Sequence, residues 1–383
     1  MRDGPGRDPT REEREGGTPE GSPRLSGFER GTEWLRGVGN ASDVVLSSRA
    51  RLARNLAGFP FVCRASRADR EQVLEICRDQ LVRADLGERT LWVDLRRVSV
   101  LERQLLAERH LISKPHAAGK QSTGQGGPDE PRGVAISLPA ERLSVMVNEE
   151  DHLRIQAVRS GLDLRGAYDE AEHADNEIER GIDYAFSPRF GYLTACPTNV
   201  GTGARFSVML HLPALRMIGE IEKVKHAADD MGLAVRGYYG EGSDTTGDFF
   251  QISNQTTLGK SEGVLMHEME HEIVPRVVEY ERHARGVLLG KRRSSTEDEV
   301  HRALGTLRSA RLIETDEAMQ LLGRVRLGVV LGLIGGGEAG EINHLMLLSH
   351  PAHLQRTLGR EISQADRRLE RATLLRSRLS SFG

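Results

Sequence analysis

The residues best suited to chemistry are arginines in short segments that alternate polar and apolar side chains. Arg49 and Arg51 are two positions apart in SSRARLARN, Arg154 lies in NEEDHLRIQ, and Arg205 lies in ARFSVMLHL. Side chains two residues apart on a β-strand point to the same face of a sheet. Guanidinium groups stay charged and bind phosphate oxygens through paired hydrogen bonds. If the three strands are close in space, the pattern predicts a clamp for a polyphosphate.

Carboxylates and a cysteine near these arginines suit a cationic second substrate. Glu150 lies in the NEEDH segment, Asp244 lies in GEGSDTTGD, and Cys196 lies in TACPTNVGTGAR. Gly201 and Gly203 of the last segment allow positive φ and close backbone approach. A carboxylate can orient a guanidinium and remove its proton, and a thiolate can contact another edge of that cation. A tight turn around a structural cysteine is the alternative interpretation.

A period of two assigns a face to each residue of these strands. One face of the second strand would carry Glu150, His152, Arg154 and Gln156. In the third strand, Ala204, Phe206, Val208, Leu210 and Leu212 form an apolar face, and Arg205, Ser207, Met209 and His211 point the other way. We therefore expect the charged faces of the three strands to converge on one site.

Other chemical motifs in the chain are weaker. The sequence contains neither G-x-x-x-x-G-K-[ST] nor a strand followed by G-x-G-x-x-G, the common nucleotide-binding loops. HEMEH, His267 to His271, fits the H-E-x-x-H pattern of zinc peptidases. The residues that follow, IVPRV, contain no third ligand, and Pro275 disturbs a helix. A chance match on a helix face is the favoured interpretation, and we predict no metal site built from protein ligands.

Composition limits the classes of function. The chain has 383 residues and a formal net charge of −3, so it lacks the overall positive charge that attracts nucleic acid non-specifically. The three cysteines, Cys63, Cys77 and Cys196, are far apart, which argues against a disulfide framework and favours a reducing compartment such as the cytoplasm. The most apolar stretch, LGVVLGLIGGG, is shorter than a membrane span.

The chain divides into three predicted parts. Residues 1–33, rich in Gly, Pro, Arg and Glu, predict a disordered tail. Residues 34–275 alternate strand-like and helix-like segments, which predicts an α+β domain. Within it, residues 113–134 are nearly free of apolar side chains and predict a mobile loop or lid. Residues 276–383 predict an all-α domain suited to dimerisation.

Three sequence patterns mark helix starts in this last part. Thr296 with Glu299 fits a capping box, and Thr315 and Ser363 each precede acidic residues and leucines at helical spacing. We predict a helix beginning at each of the three.

Four segments together resemble the catalytic domain of the phosphagen (guanidino) kinases, the family of creatine and arginine kinases. They are SSRARLARN, VNEEDHLRIQ, GYLTACPTNVGTGARFSVMLHLPAL and VRGYYGEGSDTTGDFFQISNQTTLGKSE. The most similar branch is that of the bacterial protein-arginine kinases (McsB type). The segment INHLMLLSHPAHLQ also resembles the C-terminal helical domain of that branch. The resemblance implies an antiparallel sheet flanked by helices, and transfer of the γ-phosphate from ATP with Mg²⁺ to arginine side chains in proteins.

The resemblance also implies a role for individual residues. Glu150 would be the base on the guanidinium, Cys196 would contact the guanidinium, and Asp244 stands where the family has a second catalytic glutamate. The implied nucleotide-binding positions are Ser47, Ser48, Arg49, Ala50, Arg51, His110, Arg154, Arg205, Phe206, Ser207, Val208, Met209, Arg236, Gly237, Tyr238, Tyr239, Gly240 and Glu241.

Departures from the family pattern leave a second hypothesis open. Asp244 is one methylene shorter than glutamate, so a catalytically weakened homologue that binds nucleotide or basic peptide is the alternative. In the closing helix the branch has R-D-x-x-R-A, a phosphoarginine pocket. Here Arg367, Arg368 and Arg371 occupy that motif, with Arg368 in place of the aspartate.

The branch also implies partners. They are protein substrates with exposed arginine, a zinc-binding activator protein and a Clp protease that degrades the marked proteins. A homodimer and a role in stress response are further implications of the resemblance.

Overall fold

The computed structural model of the protein describes residues 25, 26, 28, 32–120, 126–237 and 246–383. No helix within these ranges combines the length and the apolar character that crossing a membrane requires. Most of the predicted tail, residues 1–24, lies outside them. Leu25 and Phe28, which we assigned to the tail, are buried in a cluster with Leu106 and Ile136.

Ten strands lie in these ranges: β1 (Val45–Arg54), β2 (Arg89–Asp94), β3 (Gly133–Leu138), β4 (Leu143–Val147), β5 (Leu153–Ser160), β6 (Phe186–Ser187), β7 (Gly191–Tyr192), β8 (Ala204–His211), β9 (Leu233–Gly237) and β10 (Phe249–Asn254). Eight of them form a sheet in the order β2-β3-β4-β5-β1-β8-β10-β9, and every neighbouring pair is antiparallel. The predicted antiparallel sheet is confirmed, and β1 lies at its centre, between β5 and β8.

The described ranges contain thirteen α-helices: α1 (Arg67–Arg83), α2 (Val100–Glu108), α3 (Lys114–Ala118), α4 (Leu164–Glu179), α5 (Pro213–Met217), α6 (Ile221–Asp230), α7 (Glu262–His267), α8 (Val274–Lys291), α9 (Arg293–Ser309), α10 (Thr315–Val330), α11 (Ala339–Leu348), α12 (Pro351–Leu358) and α13 (Gln364–Arg378). A π-helical segment, Glu268–Ile273, joins α7 to α8. Helices therefore flank the sheet and make up the C-terminal region, as predicted.

The central strands have one apolar and one polar face because their sequences alternate. Ala50, Leu52, Phe206 and Val208 are buried in one cluster with residues of α4, and Tyr168 of α4 packs edge-on against Phe206. Burying these apolar side chains fixes the register, since a one-residue slip would exchange the two faces. The arginines of β1 and β8 are thereby held on the opposite face.

The C-terminal helices pack directly on the sheet. Met209 and Phe249 of the sheet share a buried cluster with Leu322 and Leu345 of α10 and α11. Met209 and His211 lie on the face of β8 opposite Phe206 and Val208, as alternation predicted, but the C-terminal helices cover that end of the strand. Both are buried toward the helical region, where His211 Nδ1 lies 2.8 Å from a guanidinium nitrogen of Arg326.

Helix α8 begins at Val274 and therefore spans the predicted boundary between residues 275 and 276, and its buried side chains belong to the core beneath the sheet. Val277, Val278 and Leu288 are buried in the same cluster as the apolar face of β1 and β8. The boundary itself stays a prediction.

The three predicted helix starts have different outcomes. Ser363 caps α13 by accepting a hydrogen bond from the Asp366 N–H, and α10 begins at Thr315 as predicted. The start at Thr296 is wrong, because α9 begins at Arg293. The Thr296 hydroxyl instead donates to the carbonyl of Arg292, one turn earlier in the chain.

The segment 113–134 is more structured than its composition predicts. Ser113 caps α3, and the imidazole of His116 is buried with Nε2 3.1 Å from the Gly133 carbonyl. Arg132 is also buried and donates to the carbonyls of His116 and Pro128. Residues 121–125 lie outside the described part of the chain.

Candidate active site

A cavity of about 900 Å³ opens on the polar face of the sheet. Arginines of four strands line it, namely Arg49, Arg51, Arg154, Arg205 and Arg236. His110, Glu150 and Cys196 line the same cavity. The segments that carry these residues are far apart in sequence, and the order of the strands in the sheet brings them together. The convergence that the sequence pattern predicted is therefore present.

The register of the sheet places two arginines directly opposite each other on neighbouring strands. Arg51 of β1 is directly opposite Arg205 of β8, and Arg154 of β5 is opposite Ala53 on the other side of β1. Like charges in directly opposite positions destabilise a sheet. An anion bound between the strands would reverse this repulsion.

The cavity arginines perturb one another. Burial, followed by the charges of Arg154 and Arg205, lowers the pKa of Arg49 to about 10, and its Nε donates to Ser207 Oγ at 3.3 Å. Burial, followed by the charge of Arg49, also lowers the pKa of Arg51. The buried Nε of Arg51 has no hydrogen-bond partner among the described residues. A buried donor without an acceptor costs free energy, so this wall is built for a ligand with several acceptor oxygens.

Two adjacent carboxylates in the cavity have different environments. Glu149 accepts from Arg154 at 3.0 Å and from the Ser113 hydroxyl at 2.6 Å, and its side chain is 8% exposed. Burial raises the pKa of Glu149, but Arg154, His116 and the hydrogen bonds from Ser113 and the Glu150 N–H together make the net shift downward. Glu150 has a 3.2 Å contact with Arg154 and is 29% exposed. Glu150 is therefore the carboxylate that a substrate can reach.

A buried aspartate holds the cysteine loop in place. Asp151 Oδ1 accepts from the Ala195 N–H at 2.6 Å and from Asn55 Nδ2 at 2.7 Å. Asn55 Nδ2 also donates to the carbonyl of Leu193. Because Asp151 directly follows Glu150, one turn sets the position of both the carboxylate and the loop that carries Cys196. We did not single out Asn55 or Asp151 for this role.

The two glycines after Cys196 have the positive φ that their sequence context predicted, with values of 113° at Gly201 and 66° at Gly203. A Cβ at Gly203 would lie 2.7 Å from the Ala53 carbonyl oxygen, and one at Gly201 would lie 2.6 Å from the Thr257 carbonyl oxygen. Both distances are too short for a side chain. The glycines let the loop pack on neighbouring backbone of the protein itself.

His110 forms another part of the cavity wall. It has a positive φ of 60°, its ring contacts Trp34 edge-on with centroids 4.8 Å apart, and its carbonyl accepts from Gln156 Nε2 at 2.6 Å. Burial, followed by the charge of Arg49, lowers the pKa of His110 to about 3. The imidazole is therefore neutral at physiological pH and adds no positive charge to the site.

Comparisons with known proteins assign the chain to a family. The model of the ATP:guanido phosphotransferase C-terminal catalytic domain matches residues 72–284, and that of the protein-arginine kinase McsB C-terminal domain matches residues 293–383. The chain is 44% identical over 353 residues to a protein-arginine kinase of Symbiobacterium thermophilum, covering 91% of this chain and 97% of that one. The chain belongs to the protein-arginine kinase branch of the ATP:guanido phosphotransferases.

Further similarities agree with this assignment. A protein-arginine kinase of Halothermothrix orenii is 41% identical over 350 residues, which is 91% of this chain and 97% of that one. The duplicated taurocyamine kinase from Schistosoma mansoni, solved with bound transition state analog components, has a TM-score of 0.55 and 26% identity. That similarity covers 63% of this chain and 33% of the other. The catalytic fold is thus that of the phosphagen kinases.

Several residues that we assigned to the nucleotide site of this kinase do not line the cavity. Ala50, Phe206 and Val208 point into the core because they alternate with the arginines, and Ser48 bonds to the Gly161 carbonyl and the Asp163 N–H. Ser47, Met209 and Ser207 do not line the cavity either, although Ser207 Oγ accepts a hydrogen bond from Arg49 Nε. The side chains at these positions do not line the cavity, whereas Arg49, Arg51 and Arg205 do, and nucleotide binding at either set of positions stays a prediction.

His152 was placed on the wrong face. Strand β5 begins at Leu153, so alternation does not extend back to His152. Its Nδ1 accepts from the Leu56 N–H at 3.1 Å, and the side chain is buried away from the cavity. Gln156, which lies within the strand, does line the cavity as predicted.

The segment that would complete the nucleotide site is only partly described. Gly237 is the last residue of β9 and pairs with Phe250. Tyr238, Tyr239, Gly240, Glu241 and Asp244 lie outside the described residues.

The arginines assigned to phosphoarginine binding are engaged with the protein. Arg371 is buried and donates to the carbonyls of Ser349 at 2.6 Å and Ile313 at 2.8 Å. Arg367 donates to the carbonyl of Ile362 at 3.0 Å, and Arg368 pairs with Glu314. Arg371 in particular connects three helical segments, so its guanidinium has a structural role.

Sequence reasoning missed part of the cavity wall. Lys114 and Lys120, from the segment predicted as a lid, line the cavity together with Gln251 and Gln255. The two lysines are the first and last residues of KPHAAGK, and their charge was the available signal. They extend the positive wall beyond the sheet.

The two histidines of the HEMEH motif lie close together, with ring centroids 4.9 Å apart. His267 and His271 are both exposed, and Glu270 accepts a hydrogen bond from the Leu164 N–H at the start of α4 at 2.9 Å. Within the described ranges, no group of three or more His, Cys, Asp or Glu side chains is placed to hold a metal ion. The zinc peptidase alternative therefore lacks a third ligand in that part of the chain.

Proposed function

We propose that this chain transfers the γ-phosphate of ATP to the guanidinium group of arginine side chains in proteins. The observation that carries the proposal is one cavity in which Arg49, Arg51 and Arg205 stand near Glu150 and Cys196. Few ligands need a positive wall and an acidic, thiol-bearing one at the same time. A nucleoside triphosphate and a guanidinium acceptor together meet both needs.

The positive wall would bind the triphosphate. Phosphoryl transfer depends mainly on positioning and on neutralising the charge of the transferring group. Arg51 and Arg205 are opposite residues on neighbouring strands, so an oxygen of one phosphate could accept from both. The Arg51 Nε, which has no partner among the described residues, would donate to the same ligand.

The acidic side would bind and activate the acceptor. A guanidinium nitrogen of the substrate arginine attacks the γ-phosphorus, and the bond from that phosphorus to the bridging oxygen breaks, so ADP leaves with its electron pair. Glu150 accepts the proton that the attacking nitrogen loses. Cys196 would contact another edge of the guanidinium, from a loop that Asp151 holds against the same turn.

Mg²⁺ would enter as part of the substrate, coordinated by the phosphates of ATP. Its preferred ligands are phosphate, water and one or two carboxylates. Glu149 and Glu150 already contact Arg154, and the described residues provide no cluster of three ligands. The phosphates and water would therefore supply most of the coordination.

The direct test is incubation with γ-labelled ATP and an unfolded, arginine-rich protein, followed by mass spectrometry for acid-labile phosphoarginine. We expect label on arginine, and a rate reduced by roughly 10²–10⁴-fold in Glu150→Gln, the range for loss of a general base. Label on free arginine but not on protein would make the substrate class wrong. ATP binding without any transfer would favour the weakened-homologue alternative, which the shorter side chain of Asp244 keeps open.

The remaining assignments extend this proposal. They are a homodimer formed through the C-terminal helices, a cytoplasmic location, a zinc-binding activator protein, a Clp protease that degrades the marked proteins, and a role in stress response. The support for each is the resemblance to the protein-arginine kinase branch.

A further inference from the structure

A second pocket, of about 370 Å³, lies next to the active-site cavity. Phe186 and Phe190 from the β6–β7 hairpin and Leu258 from the segment after β10 form its apolar part. Gly201 and Thr202 form the side toward the active site. A pocket of this size accommodates an apolar side chain or two.

The apolar residues of this pocket are unusually exposed. Phe186 is 57% exposed, Phe190 is 44% exposed and Leu258 is 58% exposed. Eleven large apolar side chains are exposed in the described part of the chain, and three of them line this one pocket. Clustered exposed apolar side chains, unlike single ones, mark a surface that binds another molecule.

The pocket and the active-site cavity share a wall. The loop from Cys196 to Gly203 places Cys196, Thr198 and Gly203 in the cavity, and Gly201 and Thr202 in the pocket. Whatever occupies the pocket therefore lies against the loop that carries the active-site cysteine.

This shared wall is fixed by hydrogen bonds. The Thr257 hydroxyl contacts the carbonyls of Thr198 at 3.1 Å and Val200 at 2.8 Å, and Tyr192 and Gly201 exchange backbone hydrogen bonds. Arg54 stacks on the Tyr192 ring at 3.5 Å. A pocket on a fixed wall is preorganised, which reduces the entropic cost of binding.

We propose that the pocket binds an apolar side chain that neighbours the acceptor arginine in the substrate polypeptide. The proposal rests on the proposed function, because a substrate arginine in a protein can send only its side chain into the cavity. Its main chain must run along the rim in both directions. Neighbouring side chains are a few ångströms away along an extended chain, since consecutive Cα atoms are about 3.8 Å apart. A side chain next to the arginine can therefore reach the adjoining pocket, and the kinase would prefer arginines flanked by apolar residues.

The test compares two peptides of equal length that contain one arginine, flanked by leucines in one and by serines in the other. The variant is Leu258→Ser, and the matched control is Leu312→Ser, because Leu312 is 59% exposed and lies outside the pocket. Phe186→Ser is a second pocket variant. Binding of the fluorescent peptides is measured by anisotropy without ATP, and transfer is measured with labelled ATP.

We expect Leu258→Ser and Phe186→Ser to weaken binding of the leucine-flanked peptide, and to lower its kcat/KM, by roughly tenfold. The serine-flanked peptide should change by less than about twofold, and Leu312→Ser should match wild type for both peptides. Equal binding of the leucine-flanked peptide to wild type and Leu258→Ser would overturn the proposal while leaving phosphate transfer intact.

Two other outcomes would also overturn the docking proposal. If Leu258→Ser changed only the oligomeric state, a second copy of the chain would be the occupant of the pocket. If it reduced transfer to both peptides equally, the pocket would serve catalysis and not recognition of flanking residues. Because binding is measured without ATP, failure of transfer in wild type would count against the proposed function separately.

Discussion

Buried arginines occur both in the active-site cavity and in the C-terminal helical region, and their surroundings are opposite. Arg326 is buried among acceptors: it donates to the carbonyls of Ser42 and Asp43 and to the side chain of Asn343. Arg51 instead lies opposite another arginine, and its buried Nε has no partner among the described residues. The contrast indicates that the surrounding acceptors distinguish an arginine that stabilises the fold from one whose donors remain available to a ligand.

The contrast also predicts opposite energetic roles. Removing an arginine that satisfies several buried acceptors leaves those acceptors unpaired, which costs stability. Removing one of two opposed arginines relieves repulsion within the sheet and costs only ligand binding. The first two predictions below test this difference, and the third tests the burial of His110 beside the same arginines.

The largest effect is expected for Arg326→Ala. Two carbonyls, the Asn343 amide oxygen and the ring of His211 would lose their shared donor, so the free energy of unfolding should fall by about 4 kcal/mol. Denaturant unfolding measures this value, and Arg302→Ala on the exposed surface of α9 is the control, with an expected change below about 0.5 kcal/mol. A loss no greater than the control's would remove the distinction between the two groups of arginines.

Arg51→Gln should have the converse effect. We expect kcat/KM for ATP to fall roughly 100-fold, because charge-assisted hydrogen bonds to phosphate are lost, while stability without ligand is unchanged or rises. Steady-state kinetics and thermal unfolding of the same preparation test both halves. A drop in stability comparable to that of Arg326→Ala, with ATP kinetics intact, would show that Arg51 is structural.

The smallest effect concerns pH. The folded-state pKa of His110 is about 3 and its ordinary value is 6.5, so between these pH values the unfolded state binds a proton that the folded state does not. Stability should therefore be fully present above about pH 6.5 and fall on acidification, with His110 contributing up to about 1.4 kcal/mol per pH unit.

His110→Gln should reduce the slope of the free energy of unfolding against pH by the contribution of one proton, up to about 1.4 kcal/mol per pH unit. Unfolding measured at several pH values above 4.5 gives this slope. His152, whose pKa is also lowered by burial but which lies outside the cavity, supplies the comparison. Bound ATP should flatten the wild-type dependence, because its negative charge favours protonated His110, and should leave the contribution of His152 unchanged. Identical slopes for wild type and His110→Gln would contradict the assignment.

Sequence periodicity predicted the positions of residues that lie inside strands. Arg49, Arg51 and Arg205 could be assigned to one face because the residues between them are apolar and must be buried. The same rule failed for His152, which precedes its strand. It placed His211 on the correct face, opposite Phe206 and Val208, but could not predict that helices from the distant C-terminal region cover that end of the strand.

Other features depend on contacts that no local pattern encodes. The carbonyls that bind Arg371 come from Ile313 and Ser349, far away in the chain, so its motif alone suggested a ligand site. Thr296 fits a capping box, yet α9 begins at Arg293, immediately after the single residue that separates it from α8. The role of Asp151 in holding the Cys196 loop likewise appears only when both segments are folded together.

We propose that the opposed arginines of one cavity hold a triphosphate facing Glu150 and Cys196. A crystal structure with a non-hydrolysable ATP analogue, Mg²⁺ and an arginine peptide tests it most directly. We predict phosphate oxygens within hydrogen-bonding distance of Arg51 and Arg205, and the peptide guanidinium between the γ-phosphate and Glu150. A triphosphate bound elsewhere, or a guanidinium remote from Glu150, would contradict the account.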